Sequence, residues 1–303
     1  MTDSTALVNI GELARPATVL VEKISDAVGG IFKPWQVRRV AQAEAEAEKI
    51  RAVSQIEITE LHQRALQRFI AEEAKKQSNI ESITAKALLD VKPDAQPQNM
   101  EDDWITNFFD KCRLISNEEM QALWSKVLAG EANSPGTYSK RTINFLGSLD
   151  KSDATLFQLL CNFGWVIDEQ LTLLIYNQTL EIYTNYGINF DSLKHLDQIG
   201  LISFNTSENY AVTELPKNIS INYYGKLLAV EFKNENSCEL EVGHVLLSKI
   251  GQELAPICAG KPIPEFFDFV LERYKNNKGL KIVFPNTSEE PEQANSASTE
   301  QSL

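Results

Sequence analysis

Histidine and cysteine side chains often bind metal ions or act in catalysis, and this chain has few of them. The three histidines lie in separate segments, and none has a Cys, Asp or Glu neighbour at metal-ligand spacing. They are His62, His195 and His244. The sequence also lacks a glycine-rich phosphate loop and a Gly-x-Ser-x-Gly nucleophile elbow. It therefore predicts structural or solvated histidines, no bound cofactor and no recognised catalytic centre.

The four cysteines are far apart and lack the C-x-x-C spacing of zinc and thioredoxin-like sites. They are Cys112, Cys161, Cys238 and Cys258. We interpret them as buried thiols in a reducing compartment. The sequence has neither a signal-peptide pattern at its start nor a run of about 20 apolar residues that could span a membrane. We expect a cytoplasmic protein.

The densest acidic cluster is Glu101, Asp102 and Asp103, directly before a predicted helix. Carboxylates at this position interact favourably with the positive end of a helix dipole, whatever the function of the protein. No second element supplies an obvious partner carboxylate. The cluster therefore predicts a helix start rather than a metal or acid–base site.

One charged loop between two apolar helices is a candidate interaction site. Its residues are Glu131, Tyr138, Ser139, Lys140 and Arg141. A loop held between helices can present directional contacts to a partner. Helix capping and turn formation explain the same residue types and are the favoured interpretation. An interaction site is the alternative.

Composition limits the class of protein and of partner. The chain has 303 residues, 43% of them hydrophobic and 23% charged, which is typical of a folded protein. Its formal charge of -13 disfavours broad attraction to the phosphates of nucleic acid. We therefore do not expect nucleic acid as the partner, and we expect more than one folded unit.

The first 34 residues form a mildly amphipathic segment. Apolar residues recur at helical spacing and are followed by an aromatic residue and cations, a composition that can rest on a membrane surface. The predicted membrane-contact residues are Leu20, Ile24, Ile31, Phe32, Trp35, Arg38 and Arg39. Because the stripe is short, a helix docked on the core of the protein is the favoured interpretation. Contact with the inner face of the membrane is the alternative.

Residues 35–92 are predicted to form one or two long helices, because residues 35–88 contain neither Gly nor Pro. A sparse apolar seam runs along this region at Ile50, Val53, either Ile56 or Glu57, and Leu61. The seam favours a coiled coil or an antiparallel hairpin between chains, and hence a homo-oligomer. A solvated helix packed along one edge is the alternative.

Residues 93–99 are polar and proline-bearing, and they predict a boundary before a helical domain at 100–185. Residues 186–284 are predicted to form a smaller α+β domain with a helix at Asp191–Ile199 and strands at Lys226–Phe232 and Glu239–Leu247. The tail at 285–303 is rich in Glu, Ser, Gln and Asn and is predicted to be disordered. The expected fold is mainly α with a smaller α+β part.

The run Leu247–Leu254 resembles the Leu-Thr-x-x-Gly-x-Glu-Leu segment that closes many winged-helix domains. The preceding helix, a Gly-Leu-Ile exit and a hairpin have the same order. In a DNA-binding winged helix, the helix at Asp191–Ile199 would enter a groove. Asp191 and Asp197 leave that helix too little positive charge for phosphate contacts.

The segment Trp104–Phe157 is similar to the central domain of an uncharacterised bacterial domain-of-unknown-function family. The matching residues form a Trp helix, Leu-Ala-Gly-Glu, Pro-Gly and a Ser-x-Arg-Thr helix start. In this chain they are Trp124, Leu128, Ala129, Gly130, Glu131, Pro135, Gly136, Ser139, Arg141 and Thr142. The wider order of segments resembles abortive-infection proteins of the alpha type. The resemblance implies no catalytic residues, and it associates the chain with phage defence.

These observations lead to one main hypothesis and two alternatives. The main hypothesis is a non-enzymatic regulatory or scaffolding protein, in an antiviral setting, that self-associates through its long helices and binds a protein partner. The alternatives are a winged-helix DNA-binding regulator and a peripheral membrane protein anchored by its N-terminal amphipathic segment, residues Leu7–Arg39.

Overall fold

The computed structural model describes residues 14–28, 59–235, 238–258 and 260–283. A short 3-10 turn at Pro97–Asn99 accompanies the α-helices. The α-helices of the described ranges are α1 (Arg15–Val28), α2 (Glu60–Leu88), α3 (Asp102–Cys112), α4 (Glu118–Asn133), α5 (Lys140–Leu146), α6 (Lys151–Cys161), α7 (Glu181–Thr184), α8 (Phe190–Gln198), α9 (Lys249–Cys258) and α10 (Phe266–Lys275).

The strands form one five-stranded antiparallel sheet and two strand pairs. In the large sheet the strand order is β2-β1-β5-β6-β9, and the pairs are β3-β8 and β4-β7. The strands are β1 (Gly164–Ile167), β2 (Gln170–Leu173), β3 (Ile202–Phe204), β4 (Tyr210–Val212), β5 (Asn218–Tyr223), β6 (Lys226–Phe232), β7 (Leu240–Gly243), β8 (Val245–Leu247) and β9 (Leu280–Val283). The protein is therefore a mixed α-plus-β protein.

The helix α1 packs against α3 and the 3-10 turn. Its buried face includes Leu20 and Ile24, which are both 0% exposed. Also on α1, Lys23 Nζ donates to the Met100 carbonyl oxygen at 2.9 Å and to Asp102 Oδ1 at 2.7 Å. These contacts place α1 in the core, as the favoured interpretation of this segment expects.

The helix α2 is docked along only part of its length. Its second half packs on α3 and α4, with Ile83 and Ala87 fully buried. Asn79 Nδ2 ties it to the Arg113 carbonyl oxygen at 2.8 Å. In the first half, every residue from Glu60 to Lys75 is exposed. The predicted seam residues Ile50, Val53 and Ile56 lie outside the described residues.

Aromatic packing joins α3 to α4. Phe108 stacks on Trp104 and meets Trp124 edge to face, each with ring centroids 5.1 Å apart. Asn117 caps α4 by accepting from the amides of Glu119 and Met120. This central region contains the helices that the sequence predicts between residues 100 and 161.

The predicted helical region at 100–185 also contains a hairpin, β1–β2, that the sequence analysis does not predict. Its register pairs Trp165 with Thr172 and Ile167 with Gln170. The turn residues Asp168 and Glu169 have φ values of 49° and 62°. Asp is common at the first position of such a turn, but the second is usually Gly, so Asp168 and Glu169 give only a weak turn signal. The helical domain predicted at 100–185 therefore also contains a short β-hairpin.

The single long strand predicted at Glu239–Leu247 is also wrong, because it is two strands that pair with different partners. The break falls at Gly243, whose φ is +96°. A Cβ at this position would lie 2.0 Å from the Ile175 carbonyl oxygen. The chain turns there because only glycine permits both the dihedral angle and the close approach.

The helix α9 begins at the run that the sequence analysis compares with winged helices. Ser248 Oγ donates to the Gly200 carbonyl oxygen at 2.7 Å and accepts from the Gly251 amide at 3.0 Å. Residues of both predicted domains, including Tyr183 and Ile188, belong to one continuous buried core.

No helix within the described ranges has the length and apolar character needed to cross a membrane.

Gly243→Ala should destabilise the fold by about 3 kcal/mol or more, because it combines backbone strain with a backbone clash. Gly136→Ala is a matched control: its φ is +91°, but a Cβ there would have no neighbour within 4 Å. We expect about 1–2 kcal/mol for that control. Urea unfolding monitored by circular dichroism measures both values. Equal effects would show that the contact with Ile175 contributes nothing.

Candidate functional site

The loop between α4 and α5 wraps around a buried carboxylate. Glu131, in the last turn of α4, is 3% exposed. Its Oε1 accepts from the Gly136 amide at 2.7 Å, and its Oε2 accepts from the Tyr138 amide at 2.9 Å. The carboxylate thereby supplies acceptors that the loop backbone would otherwise have to find in water.

Burial raises the pKa of Glu131 above its ordinary value of 4.5. Hydrogen bonds from the backbone of Gly136, Tyr138 and Thr137 lower the pKa, and the nearby Glu253 carboxylate raises it further. Desolvation has the largest effect, as expected for a carboxyl group with little access to water.

Tyr138 anchors the loop at its other end. Its ring lies against Gly130, where a Cβ would be 2.8 Å from the Tyr138 Cε2 atom. Its carbonyl oxygen accepts from Trp104 Nε1 at 2.7 Å. In the Leu-Ala-Gly-Glu run, Gly130 therefore leaves room for the Tyr138 ring, and Glu131 accepts hydrogen bonds from the loop amides.

The other three candidate residues lie at the start of α5. Ser139 caps this helix, with Oγ accepting from the Thr142 amide at 3.2 Å, and its own amide donates to Glu253 Oε2 of α9 at 2.8 Å. Lys140 is exposed, with Nζ 3.5 Å from Asp103 Oδ2. Arg141 is exposed and, within the described part of the chain, has no ion-pair partner and no bond to Glu131.

A polar cavity of about 540 Å³ lies beside this loop, lined in part by Trp104, Glu131 and Lys140. The carboxylate of Glu131 is occupied by the loop amides. No nucleophile is placed beside a base there among the lining residues. The arrangement therefore connects α4, α5 and α9, and Lys140 and Arg141 are the members of the set that face solvent.

The predicted membrane-contact residues fall into two groups. Leu20 and Ile24 are in the core, so neither side chain is available to a lipid surface. Ile31, Phe32, Trp35, Arg38 and Arg39 lie outside the described residues.

The remaining reactive side chains have structural surroundings. Burial raises the pKa of Cys258 to about 12 and raises the pKa values of Cys112 and Cys161 as well. These thiols are therefore poor nucleophiles. His195 Nε2 lies 2.9 Å from Asp153 Oδ1 and joins α8 to α6. In the described ranges, no three His, Cys, Asp or Glu residues are placed to hold a metal ion.

Two surface features were not found by the sequence analysis. One is the exposed apolar set on α2 that includes Leu66, Phe69 and Ile70, which are 40%, 60% and 59% exposed. The other is a groove formed by α10, β7 and the start of α7. The i, i+3 and i+4 spacing on α2 could have been recognised, whereas the groove joins segments that are distant in sequence.

Helices and small antiparallel sheets around a shared core define an α-plus-β protein with a structural loop at its candidate site. Residues 63–271 match the family described as "Protein of unknown function (DUF2806)", and the chain belongs to this family. The resemblance to a domain-of-unknown-function family is thus confirmed. Neither the curated proteins nor the solved structures include a match. The similarity to abortive-infection proteins stays a prediction.

Gly130→Ala should lower the melting temperature, although Gly→Ala inside a helix ordinarily stabilises a protein by about 1 kcal/mol. The reason is the clash with Tyr138, which we expect to cost about 1–3 kcal/mol. In a Tyr138→Ala background the same substitution should be neutral or stabilising. Thermal unfolding of the four proteins in this cycle gives the coupling, and no coupling would refute the contact.

Glu131→Gln removes one carboxylate oxygen from the loop, and we expect a cost of about 1–3 kcal/mol at pH 7. Folded Glu131 binds its proton more tightly than the unfolded chain does. The wild type should therefore gain stability relative to the variant as the pH falls from 7 through the raised pKa towards 4.5.

Urea unfolding across this pH range measures the difference. Glu118→Gln, on the exposed start of the same helix, is the control, with an expected change within about 0.5 kcal/mol. A difference between wild type and Glu131→Gln that does not vary with pH would contradict the assignment.

Proposed function

We propose that this protein is a regulatory or scaffolding interaction protein that self-associates through the first half of α2. The observation that carries the proposal is the set of large apolar side chains exposed on that helix. The largest exposures are those of Leu61, Phe69 and Ile70, at 63%, 60% and 59%. Leu66 is 40% exposed in the same stretch.

The exposed set continues the stripe that α2 buries in its second half. An α-helix turns about 100° per residue, so Phe69 shares a face with Ile80, Ile83 and Ala87. Ile83 and Ala87 are fully buried against the core. The apolar face therefore extends beyond the surface that covers it. Burying a Leu, Ile or Phe side chain stabilises by about 1.5–3 kcal/mol, so a partner here has a clear driving force.

Charge favours a second copy in antiparallel orientation as that partner. Arg64 and Arg68 precede Ile70, whereas Glu72 and Glu73 follow it. The later Lys76 is already paired with Glu73, at 2.6 Å. An antiparallel pair centred near Ile70 brings Arg68 of each helix towards Glu72 of the other. A parallel, in-register pair would place Arg68 against Arg68 and Glu72 against Glu72, which is repulsive.

The C-terminal half is proposed as a winged-helix-like module that binds protein rather than DNA. The pairs β3-β8 and β4-β7, between α8 and α9, support this comparison. Between β4 and β7 the chain also contributes β5 and β6 to the five-stranded sheet. The two basic residues of α8 are engaged by carboxylates: Lys194 with Asp197 at 2.7 Å and His195 with Asp153 at 2.9 Å. Little positive charge is left for phosphate contacts.

Leu66→Asp/Phe69→Asp should convert the protein to a monomer, because it places charges in the proposed apolar contact. Light scattering after size exclusion, at about 10–100 µM protein, measures the mass. Leu89→Asp is the control, since Leu89 is 85% exposed at the other end of the helix. Circular dichroism checks that the variants keep their helices. A wild type that is monomeric throughout this range would disprove self-association.

A second experiment tests the relative orientation of the two α2 helices in the proposed dimer. Arg68→Glu alone and Glu72→Arg alone should each weaken an antiparallel dimer, and the double variant should restore it. In a parallel dimer the single variants exchange one like-charge pair for another. Arg68 Nε also lies 3.5 Å from Glu72 Oε1 of its own helix, so rescue by the double variant indicates an antiparallel contact only if circular dichroism shows equal helix content in the four proteins. The dissociation constants of the four proteins are obtained by sedimentation equilibrium.

A further inference from the structure

A groove of about 830 Å³ runs between α10, β7 and the start of α7. Its apolar lining comes from Leu180, Ile182, Leu240 and Phe269. These four side chains come from three separate segments of the fold. The groove opens to solvent, which suits a peptide segment more than a small enclosed molecule.

The rim of the groove is acidic. Its carboxylates belong to Glu241, Glu265, Asp268 and Glu272. Glu265, Asp268 and Glu272 are three and four residues apart, so they lie on one face of α10, which Glu265 directly precedes. Within the described part of the chain, no basic group lies within 4.0 Å of the Glu265 or Asp268 carboxylate.

The one guanidinium in the lining is already engaged. Arg273 Nη2 donates to Glu241 Oε1 at 3.2 Å, and its guanidinium carbon lies 3.9 Å from the centroid of the Tyr176 ring. Arg273 therefore neutralises Glu241, and Lys275 Nζ pairs with Glu272 Oε1 at 3.0 Å. Among the described residues, Glu265 and Asp268 are left as the uncompensated carboxylates of the groove. The resulting surface combines an apolar floor with a negative wall.

This surface suits an occupant that has several separated cations and apolar side chains. The carboxylates are not gathered as metal ligands, since no group of three in the described ranges could hold an ion. Nucleic acid and acidic peptides carry the same sign of charge as the rim. A basic, apolar peptide segment is complementary to both the floor and the wall.

The chain itself contains such a segment. Residues 27–43 have no Asp or Glu, in a protein with 42 acidic residues. The basic segment, residues 31–40, reads IFKPWQVRRV: it has three cations, Lys33, Arg38 and Arg39, among apolar and aromatic residues. It lies outside the described residues. We propose that the groove on α10 binds this basic segment, from the same chain or from a second copy.

In this complex, the predicted membrane-contact residues between 31 and 39 have a protein partner. Phe32, Trp35 and the two arginines cannot occupy the groove and a lipid surface at once. The groove then controls whether the basic segment is available for other contacts. This inference does not require self-association through α2, because an intramolecular complex satisfies it equally.

Zero-length carbodiimide coupling of the full-length protein tests the contact directly. The Lys33 amine should couple to Glu265, Asp268 or Glu272, and mass spectrometry of the digest identifies the joined peptides. A mixture of ¹⁴N- and ¹⁵N-labelled protein shows whether the coupled residues belong to one chain or to two, and either result supports the proposal. Coupling of these carboxylates only to other lysines would overturn it.

Charge reversal gives a second measurement. Glu265→Lys/Asp268→Lys should speed hydrogen exchange in residues 31–40 by about tenfold, because the repelled segment leaves the groove. Adding Arg38→Glu/Arg39→Glu should restore the slow exchange. Asp90→Lys/Asp94→Lys, which reverses two exposed carboxylates elsewhere, is the matched control. Exchange that is equally fast in the wild type and in the groove variant would refute the proposal.

Discussion

The crossing of residues 174–176 over the β7–β8 break holds the two parts of the fold together. The Ile175 amide donates to the Val242 carbonyl oxygen at 3.0 Å, and the Ile175 carbonyl oxygen accepts from the His244 amide at 2.8 Å. Both bonds require the two backbones to approach at Gly243, where any side chain would collide. The two hydrogen bonds fix the position of β7 relative to residues 174–176. The positions of Leu240 and Glu241 in the acidic groove follow from it.

Local signals predicted most of the helices and the longer strands. The helix start at Ser139 and the strand at Lys226–Phe232 agree with the sequence expectations. The β1–β2 hairpin could not be predicted in the same way, because its turn places Glu169 at a positive φ that glutamate seldom adopts. The break at Gly243 depends on a backbone contact with a residue far away in sequence, which no local pattern contains.

The candidate site shows a different limit of sequence reasoning. The charged loop between α4 and α5 suggests solvent-facing side chains. Glu131, however, is buried, and its carboxylate accepts hydrogen bonds from the amides of its own loop. Its burial follows from the packing of Tyr138 on Gly130, which a single sequence does not reveal. The acidic groove was missed because its floor and rim come from α7, β7 and α10. Only the fold brings these segments together.

The unequal docking of α2 also bears on the helix–coil equilibrium of this element. Isolated helices shorter than about 12–15 residues are marginal in water, and nucleation is the costly step. The buried half of α2 supplies a permanent nucleus, so the exposed half propagates from it without that cost. The apolar stripe on the exposed half is therefore presented by a helix that the core already holds. A contact on this stripe costs less conformational entropy than the same contact on an isolated helix.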